Sequence, residues 1–292
     1  MPFRHPLTIL TYLLLTTLTQ TCQSPAPTLS LQNQRPAQPP TAPFGLIDQT
    51  ERPAALPADA LLIGEIEIKE KGFTINCDYA SVRKAAETEA RRAGANLLEI
   101  TEHRLPDYAS TCHRIRGRLY LVAEPEAYED RVYWSAERRL GYRNFRGDTL
   151  ERPFQAATST NITYALSAVT RFGKYRLRVQ SYFDPRLSYF KHGRQDSTVL
   201  VHEQVHFDIT ELYARKFRRY ASETTFNRPT VQAELERHFA SLIPDWQREQ
   251  DRYDSQVYAN RSLQPGWTIG IAAQLDSLVD YAEPEVILRI NK

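Results

Sequence analysis

The stretch LVHEQVHFDITELYARK, from Leu200 to Lys216, constrains this chain's fold more than any other segment. Leu200, Val201, Val205, Ile209 and Leu212 recur at helical spacing and give a helix an apolar face to bury. Residues four apart lie on one side of an α-helix. His202 and His206 therefore project side by side and offer two imidazole nitrogens to one ion. Glu203 follows the first histidine, about 100° round the helix. His-Glu-x-x-His on a helix is the pattern in which two histidines hold zinc and the glutamate serves as general base. The plain alternative is a surface helix with two solvated histidines. A strand-rich segment precedes the helix, and zinc peptidases use an edge strand to bind an extended substrate.

Composition narrows the rest. The chain has 292 residues, 41% hydrophobic and 25% charged, with a formal net charge of +2. This is room for one large or two ordinary domains, with no basic surplus to draw nucleic acid. The sequence holds no Gly-rich phosphate loop, no nucleophile elbow and no Cys-x-x-Cys.

Residues 1–22 read as an export signal. Arg4 and His5 give a short basic start, and Leu7 to Leu18 form an uncharged apolar run too short to anchor in a bilayer. Leu18-Thr19-Gln20-Thr21-Cys22 resembles a loose bacterial lipoprotein box, which implies a lipid on Cys22. The simpler alternative is a cleaved signal with an incidental cysteine. The expected location is the periplasm or outer membrane. Besides Cys22 the chain has only Cys77 and Cys112. In an oxidising compartment that pair is expected to form a disulfide closing a loop of about 35 residues, worth roughly 3–4 kcal/mol.

Ten of the eighteen prolines precede residue 61. Residues 23–59 are therefore predicted to be a disordered Pro-rich tether. Residues 60–123 are predicted as a small α/β domain. Its order is strand (Leu62 to Ile68), helix (capped by Asp78, stopped by Gly94), then strands over Asn96 to His103 and Arg114 to Val122. GANLLEITEHRLPDYASTCHRIRGRLYLV, Gly94 to Val122, resembles the compact domain of the Rcs envelope-stress outer-membrane lipoprotein. That resemblance implies a non-catalytic cell-envelope domain. His103 and His113 beside Cys112 leave a His/Cys metal cluster open, with the disulfide favoured.

Residues 131–292 are predicted as a second, mainly α+β domain. A hairpin is expected from Asn161 to Thr170 and Tyr175 to Phe183, turning at Gly173. Asp196 or Ser197 caps the histidine helix, running to about Ala221. Further helices are expected at Thr230 to Leu242, Asp245 to Tyr258 and Thr268 to Val279, with Pro244 breaking or kinking the first pair and Pro265-Gly266 in a loop.

HEQVHFDI, Glu211, Ala214 and Arg215 together resemble a family of secreted bacterial proteins of uncharacterised function, described as zinc-dependent proteases. The likeness extends to Leu140 to Gly147, to Ala156-Ala157-Thr158 and to Phe183 with Ser188-Tyr189, spanning about residues 133–267. It implies a zincin-like metallopeptidase domain, with zinc on His202 and His206, Glu203 as general base, and a peptide or protein substrate in the envelope. The family also carries a downstream motif ending in a histidine, the natural third ligand. The matching stretch here is Tyr253 to Asn260, and Ala259 stands in the histidine's place. Asp254 is the first candidate to replace it; Glu234, Glu236 and His238 are alternatives. Two alternatives stand beside this: Asp254 only orients a ligand, or the site holds no zinc, which leaves a non-catalytic envelope sensor or binding lipoprotein. Tyr253 and Tyr258 are candidate hydrogen-bond donors to an oxyanion, or packing residues. Asp208 and Glu211 fall off the histidine face and are not expected to be ligands.

Overall fold

The computed structural model describes residues 27–69, 77–108, 110–168, 174–191, 193 and 195–291. The signal segment, Cys22 and the turn glycine Gly173 lie outside them. The described residues form a mixed α+β structure with four α-helices and several sheets. None of these helices is long and apolar enough to cross a membrane.

The first unit corrects the expected tether. β1 (Pro27–Leu31) and β2 (Gly45–Asp48) belong to a five-stranded sheet with β3 (Leu61–Ile68), β4 (Leu97–Arg104) and β5 (Arg114–Leu121). The sheet order is β1-β3-β5-β4-β2, so the ordered unit starts well before residue 60. Proline density did not prevent this because Pro27 opens the edge strand β1, β2 contains no proline, and Pro36, Pro39, Pro40, Pro43, Pro53 and Pro57 fall in the connections. Ile47 is buried with Leu97, Tyr120 and Val122.

The remainder of the unit follows the predicted order. α1 (Tyr79–Arg92) starts where the Asp78 carboxylate accepts the Ser81 N–H at 3.0 Å. It ends before Gly94, whose φ of +87° suits glycine alone at low cost. Val82, Ala86 and Ala90 press α1 onto Ile63, Ile100 and Leu119 of the sheet. Cys77 and Cys112 form the expected disulfide across a 4.9 Å Cα separation. The disulfide consumes Cys112, and His103 Nε2 instead faces His113 Nδ1 at 2.9 Å.

The second sheet is built around a hairpin. β6 (Val132–Tyr133) and β7 (Ala156–Ala157) lead into β8 (Thr160–Ala168) and β9 (Tyr175–Phe183), which pair antiparallel along their whole length. β10 (Tyr189–Phe190) pairs with β7. α2 (Ser197–Glu223) is capped by the Asp196 carboxylate, which accepts the Thr198 N–H at 2.7 Å. β11 (Thr225–Phe226), α3 (Val231–Ala259), α4 (Gln264–Ser277), β12 (Glu285–Ile287) and β13 (Arg289–Ile290) complete the chain order. β6 and β12 join β9 opposite β8, and β11 pairs with β13.

α2 lies between this sheet and the other two helices. Val205, Ile209, Leu212 and Phe217 bury in one core with Leu177 and Val179 of β9, Tyr253 and Val257 of α3, and Ile271 of α4. Val201 departs from the predicted face and is 44% exposed.

Pro244 does not divide the helix; α3 runs through it. Pro244 and Ala240, whose carbonyl loses its partner, both sit on the exposed side. Water can satisfy that carbonyl, and Leu235, Tyr253 and Val257 hold both halves to the core. Pro265 likewise sits in the first turn of α4, where a proline's missing N–H has no partner to lose.

Candidate metal centre on two helices

Two helix faces meet at the site. α2 contributes His202 and His206, one turn apart, and α3 contributes Asp254. Asp254 Oδ1 lies 3.0 Å from His202 Nε2 and 2.9 Å from His206 Nε2. The two Nε2 atoms are 3.1 Å apart. Three potential metal donors thus form a nearly equilateral triangle. His202 and His206 are largely buried, and the Asp254 side chain is 38% exposed, so the centre opens on the Asp254 side.

The register of the two helices explains the meeting. Tyr253 is fully buried and stacks on His202 with ring centroids 4.6 Å apart. Trp267 of α4 packs edge-on against Tyr253 at 5.3 Å. Anchored there, α3 turns the next residue, Asp254, toward the imidazoles. Ala259 is five residues further, about 140° round from Asp254, and is exposed. The position of the missing histidine therefore does not leave a gap among these donors. Glu234 accepts from Thr230, Glu236 from Gln232, and His238 stacks on Tyr220; none reaches the cluster.

Burial and charge set the protonation of the group. Burial pushes Asp254 up, but hydrogen bonds from His202 and His206 outweigh it and hold the carboxyl well below its ordinary range. Burial pushes His206 down, and the hydrogen bond and charge of Asp254 outweigh it, so its pKa is raised. Glu203 is 3% exposed, and burial raises its pKa against the opposing influence of His206. The buried Thr158 hydroxyl has no hydrogen bond of ordinary geometry, yet lies close enough to lower the Glu203 pKa in part.

Asp208 and Glu211 make their contacts away from the donor triangle. Asp208 accepts from Trp134 Nε1 at 2.7 Å and pairs with Arg139 at 2.9 Å. Glu211 is buried with Arg215, Arg218 and the Ser181 hydroxyl. Tyr253 packs, with its hydroxyl 3.5 Å from the His202 carbonyl. Tyr258 tilts over His202 at 5.3 Å and is 57% exposed, and burial pushes its hydroxyl up to about 12.

Two neighbours of the site carry no local sequence motif. Phe154 stacks on Tyr258 at 6.2 Å and is exposed; it comes from a loop with no helical period to mark it. Gln250 Oε1 lies 2.6 Å from His206 Nδ1. Its spacing of four from Asp254 repeats that of the histidines and was the available signal.

Fold and site together define a mixed α+β protein with a two-helix His-His-Asp cluster. Residues 193–259 match a family described as "Bacterial protein of unknown function (DUF922)". The matched span is less than a quarter of the chain but contains both histidines and Asp254. Comparison with curated proteins and with solved structures returns no match.

Proposed function

We propose that this chain is a zinc-dependent peptidase of the bacterial cell envelope with a zincin-like second domain. The observation that carries the reading is the donor triangle. Zinc bound tetrahedrally at about 2.0–2.1 Å separates its ligand atoms by roughly 3.3–3.4 Å. The three edges here are 2.9, 3.0 and 3.1 Å, a few tenths of an ångström short of that. Two imidazole nitrogens and one carboxylate oxygen are also a donor set zinc favours, and a zinc held by them would keep a fourth position toward the exposed side. When bound there, zinc would acidify a water, polarise a carbonyl and favour the charged form of nearby carboxylates.

The chain's own residues supply the rest. Glu203 sits in a dry environment that lifts its basicity toward the working range of a general base. It accepts a proton from the attacking water and returns it to the departing amine nitrogen. Tyr258, at the open side, donates a hydrogen bond to the developing oxyanion. The Cys77–Cys112 disulfide fits an exported protein, held to the membrane through Cys22.

The deep burial of Glu203 favours a second reading, in which the chain is a non-catalytic envelope sensor or binding lipoprotein. Peptide hydrolysis by zinc-loaded protein separates the two. The peptidase reading expects turnover that Glu203→Gln abolishes while zinc is retained. Equal turnover in both proteins, or none in the wild type, sinks it.

A further inference from the structure

The Gln250 side chain is held at both ends. Its Nε2 donates to the His206 carbonyl at 3.0 Å and to Thr210 Oγ1 at 3.2 Å. Turning the carboxamide over would set its oxygen against the His206 carbonyl oxygen, two acceptors face to face. The orientation is therefore fixed by the main chain of α2. The Thr210 hydroxyl donates to the same carbonyl at 2.9 Å and meets the Thr160 hydroxyl of β8 at 2.7 Å, which ties the assembly to the sheet.

This orientation points Gln250 Oε1 at His206 Nδ1, 2.6 Å away. An amide oxygen only accepts, so Nδ1 carries the hydrogen. In the neutral ring, Nε2 then bears the lone pair, and Nε2 is the atom that faces Asp254 and His202. Without a cation among them, the His206 lone pair and the carboxylate oxygen would confront each other at 2.9 Å.

We propose that Gln250 is a positioning residue that locks His206 as its Nδ1–H tautomer and so presents Nε2 to a metal ion. Gln250 and Asp254 are then one functional pair on α3, facing His202 and His206 on α2. The metal-presenting half rests on the zinc reading; the tautomer does not.

The tautomer test uses the full-length protein, metal-free and carrying Asp254→Ala so that no carboxylate competes for Nε2, at alkaline pH where the rings are neutral. Long-range ¹H–¹⁵N NMR of the histidine side chains is expected to show His206 as the Nδ1–H tautomer. That preference should vanish in Gln250→Leu and survive in Gln250→Glu. Zinc affinity, measured by competition with a chelator, should fall about 10–100-fold in Gln250→Leu and be kept or raised in Gln250→Glu. A general packing role would lower the melting temperature in both variants without this split. An Nε2–H ring in the Asp254→Ala background overturns the proposal, as does a Gln250→Leu protein, with Asp254 intact, that binds zinc like wild type. An Nδ1–H ring in the Asp254→Ala background, together with a wild type that takes up no zinc, upholds the tautomer lock and overturns both the metal-presenting role and the zinc reading.

Discussion

His206 Nε2 lies 2.9 Å from Asp254 Oδ1, a contact between two helices made by residues 48 positions apart in the chain. Asp254 therefore completes what the histidine pair begins. Replacing Asp254 with alanine is expected to abolish stoichiometric zinc binding, whereas Ala259→His is expected to leave zinc affinity unchanged. Ala259 faces solvent about 140° round the helix from the site. Chelator competition on both variants checks this; tighter binding by Ala259→His would contradict it.

The same contact gives the metal-free protein a bell-shaped stability profile. The Asp254 pKa is lowered on folding, so its contribution is present above the unfolded carboxylate range, about 4, and is lost as pH falls through the lowered value. The His206 pKa is raised on folding, so its contribution is present below the ordinary imidazole value, about 6.5, and is lost as pH rises through the raised value. The stability advantage of metal-free wild type over Asp254→Ala should therefore peak between those ranges. Zinc should shift the maximum upward, since ligand protonation competes with the metal. Melting temperatures across pH, with chelator and with zinc, are the measurement; a flat difference would contradict the assignment.

Glu211 is predicted to matter for folding and not for chemistry. Its carboxylate is 3% exposed and pairs with Arg215 and Arg218, themselves 6% and 2% exposed. Glu211→Ala strands two buried guanidiniums and should cost about 3–5 kcal/mol. Urea unfolding checks this. A loss below about 1 kcal/mol would show that the cluster is hydrated instead.

Replacing Cys77 and Cys112 together with serine should destabilise the first unit by roughly 3–4 kcal/mol, the entropy of a loop of this length. Zinc affinity should stay within twofold of wild type, because the donors sit on α2 and α3. Unfolding followed alongside chelator competition tests both parts.

Much of this was legible from local signals. Asp78 and Gly94 bracket α1, Asp196 opens α2, and the dense β-branched and aromatic runs mark the hairpin of β8 and β9. The histidine pair was legible because four-residue spacing is a property of one helix. What escaped depends on partners distant in sequence. β1, β2 and β12 are five residues or fewer and hold their place by pairing with β3, β4 and β9. Pro244 reads as a break, yet α3 continues because its core contacts flank the proline. Asp254 stood among several acidic candidates until the packing of Tyr253 on His202 set its direction. Gln250 carries no charge and fits no metal motif; its four-residue spacing from Asp254 was the one sequence signal, and its place against His206 gives that spacing meaning.

His202, His206 and Asp254 are proposed to form one zinc site. Elemental analysis of protein purified without added metal, after exhaustive dialysis, tests it most directly. One zinc per chain is expected in wild type and almost none in Asp254→Ala. A wild type without zinc, or an Asp254→Ala protein with as much zinc as wild type, would contradict it.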